Sequence, residues 1–176
     1  MVKTLVSDYH CDSIYKLDID NLVEANIKLA FIDLDNTLAQ YDLLTPEKRT
    51  YELLDKFRDK GIEVIVISNN RLKRVQGYVS KLNVQFLSSV GKPHKRKLNK
   101  FIISNCIDKT NAIIIGDQLL TDGLLSKHLD MKFILVDPVS KKDNFVTRIN
   151  RIIERPLRKK YKKENRLGIN LTLKED

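Results

Sequence analysis

Two carboxylates end an apolar segment in the sequence Leu29-Ala30-Phe31-Ile32-Asp33-Leu34-Asp35-Asn36-Thr37-Leu38. The apolar residues predict a buried strand, and Asp33 and Asp35 lie where that strand ends. Burying unpaired carboxylates is costly, so the pattern indicates a metal ion, a positive partner or a reaction that needs negative charge. In the alternative interpretation, Asp35-Asn36-Thr37 is a turn that caps the next segment.

The sequence around this segment alternates short apolar runs with amphipathic segments, which is typical of a parallel α/β sheet. Thr45 as N-cap, Pro46 at the first helical position and Gly61 at the end predict a helix after the first strand. We therefore predict an α/β fold: a doubly wound, mostly parallel sheet of five or six strands, with helices on both faces. The predicted strands cover residues 27–34, 63–68, 84–88, 112–116 and 133–137.

The C-terminal part predicts one more amphipathic helix, because Val146, Ile149 and Ile153 recur at helical spacing. Pro156 is expected to interrupt this helix before a basic segment begins. We predict one domain over residues 1–158, made of an N-terminal arm (1–26), a core (27–138) and a helix (144–158), followed by a basic, mobile tail (159–176).

Composition limits the possible classes of protein. A chain of 176 residues fits one domain with a substantial core. The two cysteines, Cys11 and Cys106, lack metal-binding spacing and predict neither a zinc site nor a disulfide framework. No apolar run is long enough for a membrane-spanning helix, and the first residues lack a signal-peptide core. We therefore expect a cytoplasmic protein that could rest on the inner face of a membrane.

The formal charge of +9 is unevenly distributed along the chain. Residues 1–47 hold three Lys against nine Asp or Glu, whereas residues 141–166 hold eleven Lys or Arg against three acids. Such a cationic segment attracts phosphates, acidic lipids or nucleic acid, although it could equally be a solvated helix face. The candidate anion or membrane patch consists of Arg148, Arg151, Arg155, Arg158, Lys159, Lys160, Lys162 and Lys163.

Polar residues follow four of the predicted strands, where loops of an open parallel sheet converge on a crevice. Carboxylates, a hydroxyl and one lysine around such a crevice predict a site for Mg²⁺ and a phosphate. Taken singly, Ser68 could be an ordinary strand-end hydroxyl, Lys92 a solvated cation, and Asp117 a helix cap. The residues in question are Asp33 and Asp35, Ser68-Asn69-Asn70, Gly91-Lys92-Pro93, and Gly116-Asp117-Gln118 with Asp122.

Together these segments resemble the four ordered motifs of the haloacid dehalogenase (HAD) superfamily of phosphotransferases. The individual residues of these motifs, together with Thr147-Arg-Ile-Asn-Arg151 and Glu154-Arg155, resemble the YqeG-type phosphatases of subfamily HAD-IIIA. Those phosphatases are relatives of the mitochondrial phosphatidylglycerophosphate phosphatases. The likeness extends over residues 13–155.

The resemblance implies a role for each matching residue. Asp33 would be the nucleophile that becomes an aspartyl phosphate, and Asp35 the general acid and base. Ser68 and Lys92, with Asn69, would hold the phosphoryl oxygens. The remaining implied roles are Mg²⁺ binding by Asp33, the Asp35 carbonyl, Asp117 and Asp122, and support of the motif loops by Thr37 and Gly116.

The spacing leaves no room for an inserted cap domain, because residues 39–61 have room for one loop and one helix, and residues 71–91 for one helix and one strand. By resemblance, capless members act on large or membrane-presented substrates, or cover the site by oligomerising. The leading prediction is a Mg²⁺-dependent phosphatase that converts phosphatidylglycerophosphate to phosphatidylglycerol. Its partner would be an anionic phospholipid headgroup, and the apolar residues of the last helix would touch the acyl boundary or, as we expect, pack on the domain.

Two alternatives stay open. One is a soluble phosphatase for a nucleotide, sugar phosphate or phosphoprotein. The other is a basic RNA- or ribosome-binding module on a HAD fold. A single aromatic residue in the basic segment, Tyr161, argues against nucleic acid, since single-strand recognition usually relies on several stacking rings. The sequence does not determine the oligomeric state.

Overall fold

The computed structural model describes residues 6–140, 142, 145–164 and 167–173, without the side chains of 145–147. Within them, a single parallel sheet of seven strands has the order β4-β3-β2-β5-β6-β1-β7. The strands are β1 (Tyr9–Cys11), β2 (Leu29–Asp33), β3 (Glu63–Ile67), β4 (Gln85–Leu87), β5 (Ala112–Gly116), β6 (Lys132–Val136) and β7 (Ile169–Asn170). The helices are α1 (Asp20–Glu24), α2 (Lys48–Asp59), α3 (Leu72–Val79), α4 (Arg96–Ser104), α5 (Leu124–Leu129) and α6 (Phe145–Lys163).

Alternate residues of the central strands belong to two separate hydrophobic cores, one on each face of the sheet. Ala30 and Ile32 of β2 pack in a core with α2 and α3, whereas Phe31 packs in a second core with α4 and α5. Every residue of β2 and β5 is buried, as expected for strands covered on both faces. The prediction of a doubly wound α/β sheet without a cap is therefore confirmed.

Two predictions differ from the structure in detail. The sheet has seven strands instead of five or six, because β1 and β7 were not predicted. Both are too short for a periodic signal, and β1 pairs with β6 and β7 in parallel at one edge. The predicted N-cap of α2 was also wrong, since the helix begins at Lys48 after an extended Glu47.

The C-terminal prediction needs the largest correction. The helix α6 continues through Pro156 to Lys163, although proline removes one helical hydrogen bond. Contacts beyond the proline hold it, because Tyr161 is buried in one core and Leu171 in the other. The predicted mobile tail from residue 159 is therefore wrong for the described residues 159–164 and 167–173. Arg166 and the side chain of Val146 lie outside the described part.

Candidate active site

The central strands bring the predicted motifs to one edge of the sheet. β2 pairs with both β3 and β5, and Asp33 lies in register with Ile67, the last residue of β3. Ser68 and Asp117 follow β3 and β5 directly. These three polar residues are buried at the carboxyl ends of adjacent strands. The crevice predicted from the strand ends is thus present.

A tight turn after β2 carries Asp35. Asn36 adopts a left-handed backbone with φ of 65°, which asparagine tolerates better than most residues. The Asn36 amide donates to the carbonyl of Ala39 at 2.6 Å, and the Asn36 side chain donates to the Lys142 carbonyl at 2.8 Å. Thr37 is fully buried, and its hydroxyl donates to Asp117 Oδ1 at 3.3 Å. The turn is therefore fixed to the loop after β5.

Three carboxylates form a buried cluster at this edge. Asp33, Asp117 and Asp122 each offer an oxygen, and these oxygens lie within 4.8 Å of one another. A π-helical turn, Leu119–Gly123, carries Asp122 toward the end of β5. Gly116 is needed for this approach, because a Cβ there would meet Asp122 Cγ at 2.3 Å. Such a cluster fits Mg²⁺, which prefers oxygen ligands at about 2.1 Å.

Lys92 supplies positive charge to the same cluster. Its buried ammonium contacts Asp33 Oδ1 directly and donates to Asp122 Oδ1 at 2.7 Å. Asn69 holds the Lys92 backbone, accepting from its amide at 2.7 Å and donating to its carbonyl at 2.9 Å. Both polar atoms of the Asn69 side chain are used in this way. Its contacts are those of a positioning residue rather than of a phosphate ligand.

Burial and charge act in opposite directions on these groups. Burial raises the pKa of Asp33 well above its usual range, and the Lys92 ammonium opposes that rise. For Lys92, burial lowers the pKa, but Asp122 and Asp33 outweigh it and raise the pKa above its usual value. Lys92 therefore stays charged, and the three carboxylates of the cluster outnumber it. An added divalent cation would neutralise the excess negative charge.

Asp35 has separate surroundings. Its side chain is outside the cluster of three carboxylates and accepts from Ser68 Oγ at 3.0 Å and Asn70 Nδ2 at 2.9 Å. Arg74 Nη2 donates to the other oxygen at 3.3 Å. The two carboxylates of the motif therefore have different partners. Asp33 contacts Lys92 in the carboxylate cluster, whereas Asp35 accepts from a hydroxyl, an amide and a guanidinium.

Arg74 was not among the residues predicted for the site. It looks like one more solvated cation on α3, yet only 17% of its side chain is exposed. Arg74 lies in the first turn of α3, and its side chain reaches Asp35 in the loop after β2. A charged residue one turn after the Ser68-Asn69-Asn70 motif is the only signal available, and it is weak.

The helix α6 also reaches the site. Arg151 Nη2 pairs with Asp117 Oδ2 at 2.6 Å, and Asn150 donates to Gln118 Oε1 at 3.1 Å. The buried Glu154 accepts from the amide of Leu120 at 2.7 Å. Burial raises the pKa of Asp117 to about 6 against the Arg151 charge, and raises that of Glu154 to about 7.

Two of the predicted patch residues therefore have other roles. Arg151 is in the site, and Arg158 donates to the Val136 carbonyl at 3.1 Å and pairs with Asp137 at 3.3 Å. The expectation that Ile149 and Ile153 pack on the domain is also wrong, since 44% and 53% of these residues are exposed. Glu154 takes the buried side there instead, and Tyr161 farther along the helix is buried in a core. The patch residues that remain exposed are Arg148, Arg155, Lys159, Lys160, Lys162 and Lys163.

A family model described as haloacid dehalogenase-like hydrolase matches residues 2–136. The chain belongs to the haloacid dehalogenase-like hydrolases. The Probable phosphatase YqeG of Bacillus subtilis (strain 168) is 32% identical over 165 residues, which cover 94% of this chain and 96% of that protein. The prediction of a YqeG-type HAD phosphatase is thereby confirmed.

Solved structures support the HAD fold. An uncharacterized protein from Listeria monocytogenes serotype 4b matches with a TM-score of 0.54 and 14% identity, covering 67% of this chain and 85% of its own. The cobalt-bound deoxy-D-mannose-octulosonate 8-phosphate phosphatase from Haemophilus influenzae matches with a TM-score of 0.50 and 16% identity, covering 64% and 69%. At these identities the likeness concerns the fold of this HAD phosphatase. Among the described residues, none of the helices is both long and apolar enough to span a bilayer.

Proposed function

We propose that this HAD phosphatase hydrolyses phosphomonoesters through an aspartyl phosphate on Asp33, and that its substrate is phosphatidylglycerophosphate. The observation that carries the mechanism is the buried cluster of Asp33, Asp117 and Asp122, with Lys92 between two of its members. A structural ion pair would need equal numbers of charges. Among the described residues, three carboxylates surround this lysine and Arg151 is the one further cation paired with them, which favours a bound divalent cation and a transferable phosphoryl group.

Each residue then has a role that follows from its contacts. Asp33 attacks the phosphorus atom, and the ester oxygen leaves with a proton from Asp35. Water, deprotonated by Asp35, then hydrolyses the aspartyl phosphate. Lys92 and Ser68 donate hydrogen bonds to phosphoryl oxygens, where negative charge is concentrated. Mg²⁺ held by Asp33, Asp117 and Asp122 would screen the repulsion between the nucleophile and the phosphate.

The lipid part of the proposal rests on α6. Three exposed isoleucines lie on its outer face, with exposed fractions of 44% for Ile149, 60% for Ile152 and 53% for Ile153. Six exposed basic residues share the helix, and the same helix contacts the site through Arg151. An apolar strip flanked by cations is complementary to an anionic bilayer surface. A capless crevice beside this helix could accept a headgroup presented by that surface.

The decisive experiment measures phosphate release from phosphatidylglycerophosphate in mixed micelles and from a panel of soluble phosphomonoesters, with and without Mg²⁺. We expect Mg²⁺-dependent turnover of the lipid, and a loss of at least about 1000-fold in Asp33→Asn, which lacks the nucleophile. Asp59→Asn, an exposed carboxylate on α2, is the matched control and retains activity. Preference for soluble esters would overturn the lipid assignment, and turnover by Asp33→Asn would overturn the mechanism.

Membrane contact is tested by co-sedimentation with vesicles of phosphatidylglycerol and phosphatidylcholine. We expect the double variant Ile152→Ser and Ile153→Ser to bind these vesicles several-fold more weakly. Ile103→Ser provides the control, because that isoleucine is 67% exposed and belongs to α4 instead of α6. Equal binding by all three proteins, or no dependence on phosphatidylglycerol, would contradict the contact through α6.

A further inference from the structure

A cavity separate from the carboxylate cluster lies beside Asp35, on the side of α3. Its volume is about 650 Å³, and its wall includes Asn70, Arg71, Lys73, Arg74 and Tyr78. Asn70 and Arg74 also hydrogen-bond Asp35, so the cavity and the proposed proton donor share two residues. A leaving group that receives a proton from Asp35 would therefore extend into, or beside, this cavity.

The cavity carries positive charge. Arg71, Lys73 and Arg74 line it, and no carboxylate is among its lining residues in the described part of the chain. Arg71 and Lys73 are exposed, and neither forms an ion pair with another described residue. The cations of a structural surface network would be interspersed with acids. Because all the charged residues that line the cavity are positive, an anionic ligand is favoured there.

Arg74 is held in place at the boundary of this cavity. Its Nε donates to the Tyr41 carbonyl at 3.2 Å, and its guanidinium lies 5.6 Å from the centre of the Tyr78 ring. Its Nη1 group is buried and has no hydrogen-bond partner among the described residues. An unsatisfied charged donor is costly, and a ligand oxygen that reached Nη1 from the cavity would satisfy it.

We propose that this cavity binds a second phosphate group, carried by the leaving group of the substrate. This inference rests on the proposed phosphatase function and narrows its substrate class to phosphomonoesters with a further phosphate a few bonds from the scissile one. Arg74 orients the leaving group next to Asp35, and Arg71 and Lys73 neutralise its remaining charge. The second phosphate is either the diester of a phospholipid headgroup or the monoester of a soluble bisphosphate.

Binding to the full-length Asp33→Asn protein tests the cavity apart from turnover. Titration calorimetry with Mg²⁺ compares glycerol 3-phosphate with glycerol 1,3-bisphosphate, which differ only in the second phosphate. A third ligand, monomeric dihexanoyl phosphatidylglycerophosphate, carries that phosphate as a diester. We expect both two-phosphate ligands to bind at least about 10-fold more tightly than glycerol 3-phosphate, as one or two charge-assisted contacts would give.

The second measurement adds Arg71→Gln and Lys73→Gln to the same protein. Both residues are exposed, so the fold should tolerate their loss, and the affinity preference should fall to about 2-fold or less. The control adds Lys56→Gln and Lys81→Gln, two exposed lysines elsewhere, and keeps the preference. Tighter binding of the lipid identifies the diester as the source of the second phosphate, and tighter binding of glycerol 1,3-bisphosphate identifies a soluble one.

Two results would overturn the inference: equal or undetectable binding of all three ligands, or a preference that survives in the Arg71 and Lys73 variant. Both are distinct from failure of the proposed function, which is defined by the absence of Mg²⁺-dependent hydrolysis in the Asp33-containing protein. A wild-type protein that hydrolyses esters without any preference for a second phosphate would leave the mechanism standing and remove only the cavity assignment.

Discussion

The helices α2 and α6 differ in which residues they bury against the domain. α2 buries Leu53, Leu54 and Phe57 and exposes its charges, as a helix packed by the hydrophobic effect does. α6 buries Glu154 and directs Arg151 to Asp117, while its isoleucines face outward. The hydrophobic effect therefore attaches α2, whereas α6 is attached by ion pairs and hydrogen bonds around Arg151 and Glu154 and by the burial of Tyr161 near its end. Charge at the site and docking of α6 are consequently linked.

The largest expected effect concerns α2. Phe57→Ala removes a fully buried ring, and we expect a loss of about 3 to 5 kcal/mol in the free energy of unfolding. Urea unfolding followed by circular dichroism measures this loss. Tyr51→Ala on the exposed side of the same helix is the control. A cost below about 1 kcal/mol for Phe57→Ala would show that α2 is not attached by its apolar face.

Arg151→Gln should weaken the attachment of α6. It leaves Asp117 buried without its paired charge, so we expect a loss of about 1 to 3 kcal/mol in the free energy of unfolding without metal. Mg²⁺ would replace the missing positive charge. Addition of Mg²⁺ should therefore raise the Tm of this variant more than that of the wild type.

The control for this measurement is Arg155→Gln, an exposed arginine on the same helix. It should match the wild type both with and without Mg²⁺. Equal Mg²⁺-induced shifts of Tm in the wild type, Arg151→Gln and Arg155→Gln would refute the link between α6 and the carboxylate cluster.

Glu154→Gln should change how stability depends on pH. The folded-state pKa of Glu154 is raised to about 7, from a usual value of 4.5. A raised pKa means that the folded state binds the proton more tightly, so stability is highest below pH 4.5 and falls as the pH rises through about 7. Glutamine does not titrate, so the variant lacks this loss. Above pH 7 its free energy of unfolding should exceed that of the wild type by on the order of 1 kcal/mol.

Thermal unfolding between pH 4 and pH 8 gives this difference curve directly. Glu24→Gln, at an exposed position on α1, serves as the control and should run parallel to the wild type. A constant difference between Glu154→Gln and the wild type over the whole range would argue against a buried carboxylate that titrates with folding.

The smallest expected effect concerns the outer face of α6. Serine at Ile152 and Ile153 removes no buried contact, because both residues are more than half exposed. We therefore expect the free energy of unfolding to stay within about 0.5 kcal/mol of the wild type. Chemical unfolding of the double variant checks this, and a larger loss would mean that the isoleucines contribute to folding after all.

The sequence was sufficient for the centre of the fold and of the site. The five predicted strands have short, β-branched or aromatic runs that leave little ambiguity, and each motif residue lies at the end of one of them or in the loop that follows. The structure accordingly brings Asp33, Asp117, Asp122 and Lys92 together. Local patterns were enough because these residues are positioned by the strands that precede them.

Other features depend on contacts between distant parts of the chain. Arg74 and Arg151 look like solvated cations in the sequence, and only the tertiary structure brings them to Asp35 and Asp117. Pro156 predicted the end of a helix that packing beyond it preserves. The outward-facing isoleucines of α6 were not predicted for the same reason, since periodicity identifies an apolar face but does not show where that face points.

The pairing of β1 with β7 has a consequence for how the chain folds during synthesis. Ile169 donates to the Asp8 carbonyl at 3.0 Å and Leu171 to the His10 carbonyl at 2.9 Å, which joins two segments about 160 residues apart. During synthesis, β1 cannot pair with β7 until residues 169–171 have left the ribosome. The central strands can assemble earlier, so a chain shortened after α6 would keep its carboxylate cluster but expose an unpaired strand edge that favours aggregation.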